Sequence, residues 1–218
     1  MNRRLIVLLT ALFAVVLFAG GAWYYDRSQK AAITAAVSTA EGQLIRSHSP
    51  IIGPVDARVT VVEFLDPSCE ACRAFYPILK QIMAMYPDQI RIVVRYTPFH
   101  QGSEEAVRIL EAARRQMKFD PVLYALFAKQ PEWAVHGAPD LAKAWTFAEA
   151  AGLHIERARR EAYLPEVTEV IQQDMADVKA FNVKGTPTFF VNGKPLTDFS
   201  AQGLLDLIEG EVKGGARP

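Results

Sequence analysis

The chain has 218 residues, 24 basic and 24 acidic side chains, a formal net charge of zero, and two cysteines. That length suffices for one domain with a full core and additional segments. The even charge balance, without any basic block, excludes an electrostatic nucleic-acid binder; two cysteines exclude a disulfide-dense scaffold and leave one redox couple or half of a metal site.

In chain order, Arg3 and Arg4 precede an apolar run from Leu5 to about Tyr25, roughly the 20 residues a helix needs to cross a bilayer. Ala19-Gly20-Gly21-Ala22 offers a signal-peptide cleavage site, but Trp23, Tyr24 and Tyr25 follow at once, as an interfacial aromatic belt would. Residues 1–25 are therefore read as an uncleaved transmembrane anchor, with a removed signal peptide as the alternative. In both readings the arginines hold the N-terminus inside, so the rest of the chain is expected in the periplasm, tethered once to the bacterial inner membrane. Residues 26–49 are polar and alanine-rich and read as a tether, ended by Pro50, Gly53 and Pro54.

Val59 to Leu65 lacks clean alternation, which predicts a strand buried on both faces. A helix follows Cys69 to about Tyr86, with Ile78, Leu79, Ile82 and Met83 at helical spacing and Pro77 inside it. Ile90 to Tyr96 is a second strand, and the order strand, helix, strand suggests a parallel pair. From Ser103 to Phe181 the pattern is helical. Ser103 is the candidate cap of the first helix, and prolines 121, 139 and 165 stand near the starts of the others. Trp133 and Trp145 read as core of this block. Thr188 to Val191, the turn signal Asn192-Gly193 and a partner from Lys194 predict a hairpin, with Pro195 marking an edge strand. Ser200 caps a final helix.

Cys69-Glu70-Ala71-Cys72 lies where the first strand meets the first helix. A helix N-terminus carries unpaired N–H groups and a partial positive charge, so a thiolate there is stabilised and the sulfur becomes a better leaving group. Zinc wants four ligands. The other donors, His48, His100, His136 and His154, are not at finger-like spacing.

This motif, within an order of βαβ, helical block, hairpin and terminal helix, resembles the thioredoxin fold, and most closely the DsbA family of extracytoplasmic thiol–disulfide oxidoreductases. The resemblance covers about Ser49 to Val212. It implies an α/β thioredoxin-like domain from residues 50–102 and 182–213, an inserted α-helical subdomain over 103–181, and the N-terminal transmembrane helix outside both. It further implies that Cys69 is the exposed nucleophile, that Cys72 is the resolving thiol, and that Pro187 is cis and lies against the pair. Thr186 would then offer its backbone to an extended substrate. Glu63, an acid inside an apolar strand, matches the family's buried carboxylate; its pKa should be raised, and it should exchange a proton with Cys72. Arg95 on the neighbouring strand is its expected charge partner.

Glu70 and Ala71 stand where strongly oxidising members carry Pro-His. Glu70 should repel a thiolate on Cys69, so a weaker oxidant leaning towards isomerase or reductase work is expected. His100, after the second strand, is a further possible modulator. The dithiol is itself the redox centre, so no cofactor or metal is required. The expected partners are protein substrates bearing thiols or disulfides, and a redox protein that resets the couple. The reading from a different class is a copper chaperone using Cys69 and Cys72 as soft ligands.

Overall fold

The computed structural model describes residues 43–214, together with Phe18, Gly20, Gly21 and Arg27. Apart from those four positions, the expected anchor and residues 26–42 of the expected tether lie outside the described residues. No helix among the described residues is long and apolar enough to cross a membrane.

The strands are β1 (Ile51–Ile52), β2 (Val59–Leu65), β3 (Ile90–Tyr96), β4 (Thr188–Val191) and β5 (Lys194–Pro195). They form one sheet in the order β1-β3-β2-β4-β5. β2 runs parallel to β3 and antiparallel to β4, while β1 and β5 close the edges as antiparallel partners. Every residue of β2 is buried, as its β-branched run and continuous apolar character demand of a strand covered on both faces. The β4–β5 turn has positive φ at both Asn192 and Gly193, the conformation a two-residue hairpin requires. Pro195 sits on the edge strand, where its missing N–H costs no ladder bond.

Helix α1 (Glu70–Met85) follows β2 and continues past Pro77. Between β3 and β4 lie α2 (Ser103–Arg115), α3 (Phe119–Ala128), α4 (Gln130–Trp133), α5 (Leu141–Ala150), α6 (Ile155–Glu161) and α7 (Pro165–Ala180). Helix α8 (Ala201–Gly214) closes the described chain. Ser200 accepts from the Gly203 amide at 2.9 Å, the expected N-cap of α8. Ser103 is not the cap of α2. The capping position belongs to Gly102, in the left-handed region, and the Ser103 hydroxyl is donated to Asp66 instead. Asp140, directly after Pro139, caps α5 through the Lys143 amide.

Side-chain alternation along β2 divides the interior in two. Val59, Val61 and Leu65 join Phe75, Tyr76, Leu79 and Ile82 of α1 and Leu204, Ile208 and Val212 of α8 in the larger core, which extends through the helical block to the buried Trp133 and Trp145. Val62 and Phe64 face the other way, packing with Val93, Val178, Phe181 and Phe190 beneath the end of α7. Leu44 joins this second cluster, so residues at the end of the expected tether pack against the sheet. Glu63, between Val62 and Phe64, is thereby directed to the α1 face, and Arg95, in register with Phe64, to the α7 face.

Candidate active site

β2 delivers the chain to a tight turn at residues 66–68, and α1 starts immediately after Cys69. The Cys69 amide donates to the Asp66 carbonyl at 3.1 Å, and the Arg73 amide donates to the Cys69 carbonyl at 3.1 Å, the first bond of the helix. Cys69 is the N-cap residue, which places its sulfur among the unpaired amides of the first turn. Both cysteines are free thiols. Cys69, expected to be exposed, is only 6 % accessible, and Cys72 is fully buried. The covering element is the loop before β4: the Cys69 thiol donates to the Thr186 carbonyl at 3.1 Å. The Thr186–Pro187 peptide bond is cis, as the resemblance implied. Phe181, Thr186, Pro187, Phe189, Leu196 and Phe199 line an open pocket of about 390 Å³ along this loop.

The two thiols are driven apart electrostatically. The Cys72 thiol, foremost, then the Thr186 side chain and the amides of Cys72 and Ala71 favour a thiolate at Cys69 against the cost of burial, and bring its pKa down to about 5. Ala71 thus acts through its backbone. Burial first, then the neighbouring Cys69 and the charge of Glu63, push Cys72 well above the ordinary thiol range. Glu63 is 2 % exposed. Burial, followed by the charge on Cys69, raises its pKa to about 8. Its Oε1 has no hydrogen-bond partner. The carboxyl therefore favours its neutral form well above the ordinary carboxyl range, as expected for an acid in an apolar strand.

Arg95 is not the partner of Glu63. Adjacent residues on a strand face opposite sides, and Arg95 lies in register with Phe64 rather than Glu63. Its guanidinium meets α7, donating to Asp174 Oδ1 at 3.0 and 2.7 Å and to Asp177. It also donates to the carbonyls of Gln43 and Leu44 at 2.6 and 2.8 Å. Arg46 adds two bonds to Asp177 at 2.8 and 2.7 Å, and His48 lies 2.8 Å from Asp174. Arg95 is thus a structural ion on the face away from the thiols.

Glu70 does not stand unopposed beside Cys69: its Oε1 is 2.8 Å from Nε2 of His136. Its own amide, then His136, hold this carboxyl below the usual range, with a further contribution from His100. His100 does lie at the mouth of the site, its Nδ1 2.7 Å from Asp66 Oδ2. Burial opposes the charge on His100, but Asp66, Cys69 and Glu70 together outweigh it and raise its pKa. Three residues of this neighbourhood were not singled out in the sequence: Asp66, His136 and Gln130. Gln130 Nε2 donates to the carbonyls of Pro67 and Cys69 at 2.9 and 3.0 Å, pinning the turn from the helical block. An aspartate directly before Pro67 at the end of a buried strand is a visible signal; Gln130 comes from α4 and His136 from the loop after it, and neither left one. Among the described residues, no three His, Cys, Asp or Glu side chains are grouped to hold a metal ion.

A family model described as "Thioredoxin" matches residues 46–209. The chain is 31 % identical over 188 residues to Disulfide bond formation protein D of Bacillus subtilis, covering 79 % of this chain and 81 % of that protein. It is 32 % identical over 165 residues to a Na(+)/H(+) antiporter NhaA of Herminiimonas arsenicoxydans, covering 75 % of this chain but 26 % of the antiporter. The chain thus spans about a quarter of the length of such curated relatives. Among solved structures, a thioredoxin-like oxidoreductase from Silicibacter pomeroyi superposes with a TM-score of 0.67 at 29 % identity, over 77 % of this chain and 94 % of that one.

Proposed function

The chain belongs to the thioredoxin family, and from that premise we propose that it is a DsbA-like thiol–disulfide oxidoreductase that exchanges disulfides with protein substrates outside the cytoplasm through Cys69 and Cys72. The observation that carries this reading is the position of the Cys69 sulfur: it lies at a helix start with its pKa lowered to about 5, 3.1 Å from the Thr186 carbonyl. The lowered pKa favours the thiolate, the form that attacks, while the Thr186 carbonyl accepts the proton of the thiol form.

In the reducing direction, the Cys69 thiolate attacks one sulfur of a substrate disulfide. The substrate S–S bond breaks, a substrate thiolate leaves, and a mixed disulfide forms. Cys72 then loses its proton and attacks Cys69, expelling the second substrate thiolate. The substrate is reduced to two thiols while Cys69 and Cys72 are oxidised to a disulfide. Oxidation of a substrate is the same sequence reversed.

Glu63 fits the proton step. Part of its raised pKa comes from the Cys69 charge, and that charge vanishes once Cys69 enters the mixed disulfide. Glu63 then ionises more readily, and its carboxylate takes the proton of Cys72, which is otherwise held far above neutrality. Thr186 and the pocket beside it suit an extended, partly apolar segment whose backbone pairs with the loop before β4.

The depressed Cys69 pKa lies between the roughly 7 of thioredoxin and the roughly 3.5 of the most oxidising family members. It supports a couple of intermediate poise, suited to isomerase or reductase work once an external redox protein sets its state. The anchor over residues 1–25, with the catalytic domain in the periplasm, remains part of this proposal, supported by the apolar run behind Arg3 and Arg4.

The test is Cys72→Ser in the full chain, challenged with an extracytoplasmic extract. Mixed disulfides through Cys69 should accumulate and disappear on reduction. Trapping of nothing, together with failure of the wild-type protein to reduce insulin, would overturn the assignment. A Cu(I) titration of the reduced protein alongside separates exchange from copper carriage by the same two sulfurs.

A further inference from the structure

Asp66 is fully buried, and its carboxylate is committed to two loops. Oδ1 accepts from the Ser68 amide at 2.8 Å and from the Ser103 hydroxyl. Oδ2 accepts from the Phe99 and His100 amides at 2.8 and 3.0 Å and meets His100 Nδ1 at 2.7 Å. Asp66 therefore ties the turn that carries Cys69 to the loop after β3, and it fixes the His100 ring through one nitrogen. With its oxygens spent on these donors, the carboxylate turns inward and the imidazole outward, one third exposed.

A second histidine arrives from the loop between α4 and α5. His136 Nε2 lies 2.8 Å from Glu70 Oε1, and its ring stands edge-on to that of His100 with centroids 6.0 Å apart. The two rings and Ser68 border a cavity of about 70 Å³. Both histidines thus bear on the first turn of α1, where Cys69 is the N-cap. The charges of Cys69 and Glu70 are both felt at His100. Cys72 on α1 and Glu63 on β2 also interact with Cys69, and the Asp66 carbonyl accepts from its amide. A thiol and two carboxyl groups supply no positive charge.

We propose that His100, oriented by Asp66, supplies from outside the motif the positive charge that Cys69-Glu70-Ala71-Cys72 lacks. It acts as a positioning residue that holds Cys69 ionised, and His136 assists by engaging Glu70. This deepens the exchange reading above and rests on it. The oxidising strength of the couple is then set by two loops outside the Cys-x-x-Cys segment, because stabilising the reduced thiolate makes the disulfide a stronger oxidant. The Asp66–His100 pair, its carboxylate buried and its ring one third exposed, is the stronger half of the device. The His136–Glu70 pair is largely exposed and weakened by solvent.

The test reads the sulfur itself in the reduced full-length protein, by thiolate ultraviolet absorbance against pH and by equilibrium with glutathione. His100→Gln should leave roughly three- to tenfold less thiolate below the Cys69 midpoint, with a less oxidising couple. His100→Lys should restore both values. His136→Ala should give a smaller loss of the same sign, which vanishes when Glu70→Gln is already present. His100→Gln that lowers thermal stability yet keeps the wild-type midpoint and potential would overturn the proposal, as would an effect of His136→Ala that is independent of Glu70. The exposed His136–Glu70 cycle serves if His100→Gln does not fold. Titration does not depend on turnover. Wild-type protein that titrates as stated but exchanges no disulfide fails the functional reading alone; active protein whose midpoint ignores both histidines fails this one alone.

Discussion

The sulfur of Cys69 and the carbonyl oxygen of Thr186 are 3.1 Å apart across 117 residues of sequence. That contact couples the start of α1 to the loop entering β4; under the proposed function it sets the attacking sulfur beside the backbone offered to substrate. The two groups come from distant parts of the chain, and both depend on the sheet that holds β2 beside β4.

The thiol of Cys72 is the largest influence favouring the thiolate at Cys69. Replacing Cys72 with alanine should move the Cys69 midpoint from about 5 upward by about one pH unit or more. Thiolate absorbance, or the pH dependence of alkylation by iodoacetamide, reads this directly. An unchanged midpoint would mean that the helix start alone sets the acidity.

Glu63 gives a pH dependence with a definite sign. Its folded pKa, about 8, lies above the ordinary carboxyl value of 4.5, so the folded state holds the proton more tightly than the unfolded chain. The penalty is absent below about pH 4.5, grows as pH rises, and is complete above about pH 8. Glu63→Gln should flatten this trend and stabilise the reduced protein above pH 8 by roughly 2–4 kcal/mol. Resolution of mixed disulfides should slow at the same time. Denaturant unfolding at several pH values, beside a single-turnover assay, separates the two effects; parallel pH curves for variant and wild type would contradict the buried-acid account.

Arg95 is fully buried between Asp174 and Asp177. Arg95→Met removes the buried cation and leaves Asp177 to Arg46 and Asp174 to His48, which should cost about 3–5 kcal/mol. Because the ion sits on the sheet face away from the thiols, the Cys69 midpoint should not move. A midpoint that shifts without loss of stability would reverse the role given to this residue.

Gln130 donates to the carbonyls of both Pro67 and Cys69. Gln130→Ala removes this donor from the Pro67 carbonyl and leaves the Cys69 carbonyl to the Arg73 amide, which should cost about 1–3 kcal/mol. The exchange rate should fall more than the stability alone explains, because the turn carrying Cys69 loses its brace. Insulin-reduction kinetics at matched folded fractions tests this.

The sequence carried the scaffold well wherever local chemistry and tertiary demand agree. The β-branched run from Val59 to Leu65 matches its strand end to end, and Asn192-Gly193 matches its turn. Thr186-Pro187 was legible only together with Cys-x-x-Cys. Elements held chiefly by their neighbours were not legible. β1 is two residues long and exists because β3 offers it an edge. α4 and α6, at four and seven residues, are too short to show a period. Arg95 was assigned to Glu63 because strand proximity was read without the facing of side chains; one residue of register reverses the answer. His136 and Gln130 reach the site through folds of the helical block, and sequence separations of 66 and 61 residues conceal such meetings.

The ions around Arg95 have an effect beyond strength. Through Gln43, Leu44, Arg46 and His48 they fasten the chain's entry into the domain onto β3 and α7. Residues 43–48 are thereby bolted to the sheet and its covering helix. This entry segment cannot swing clear of β3 and α7 unless these ions break first.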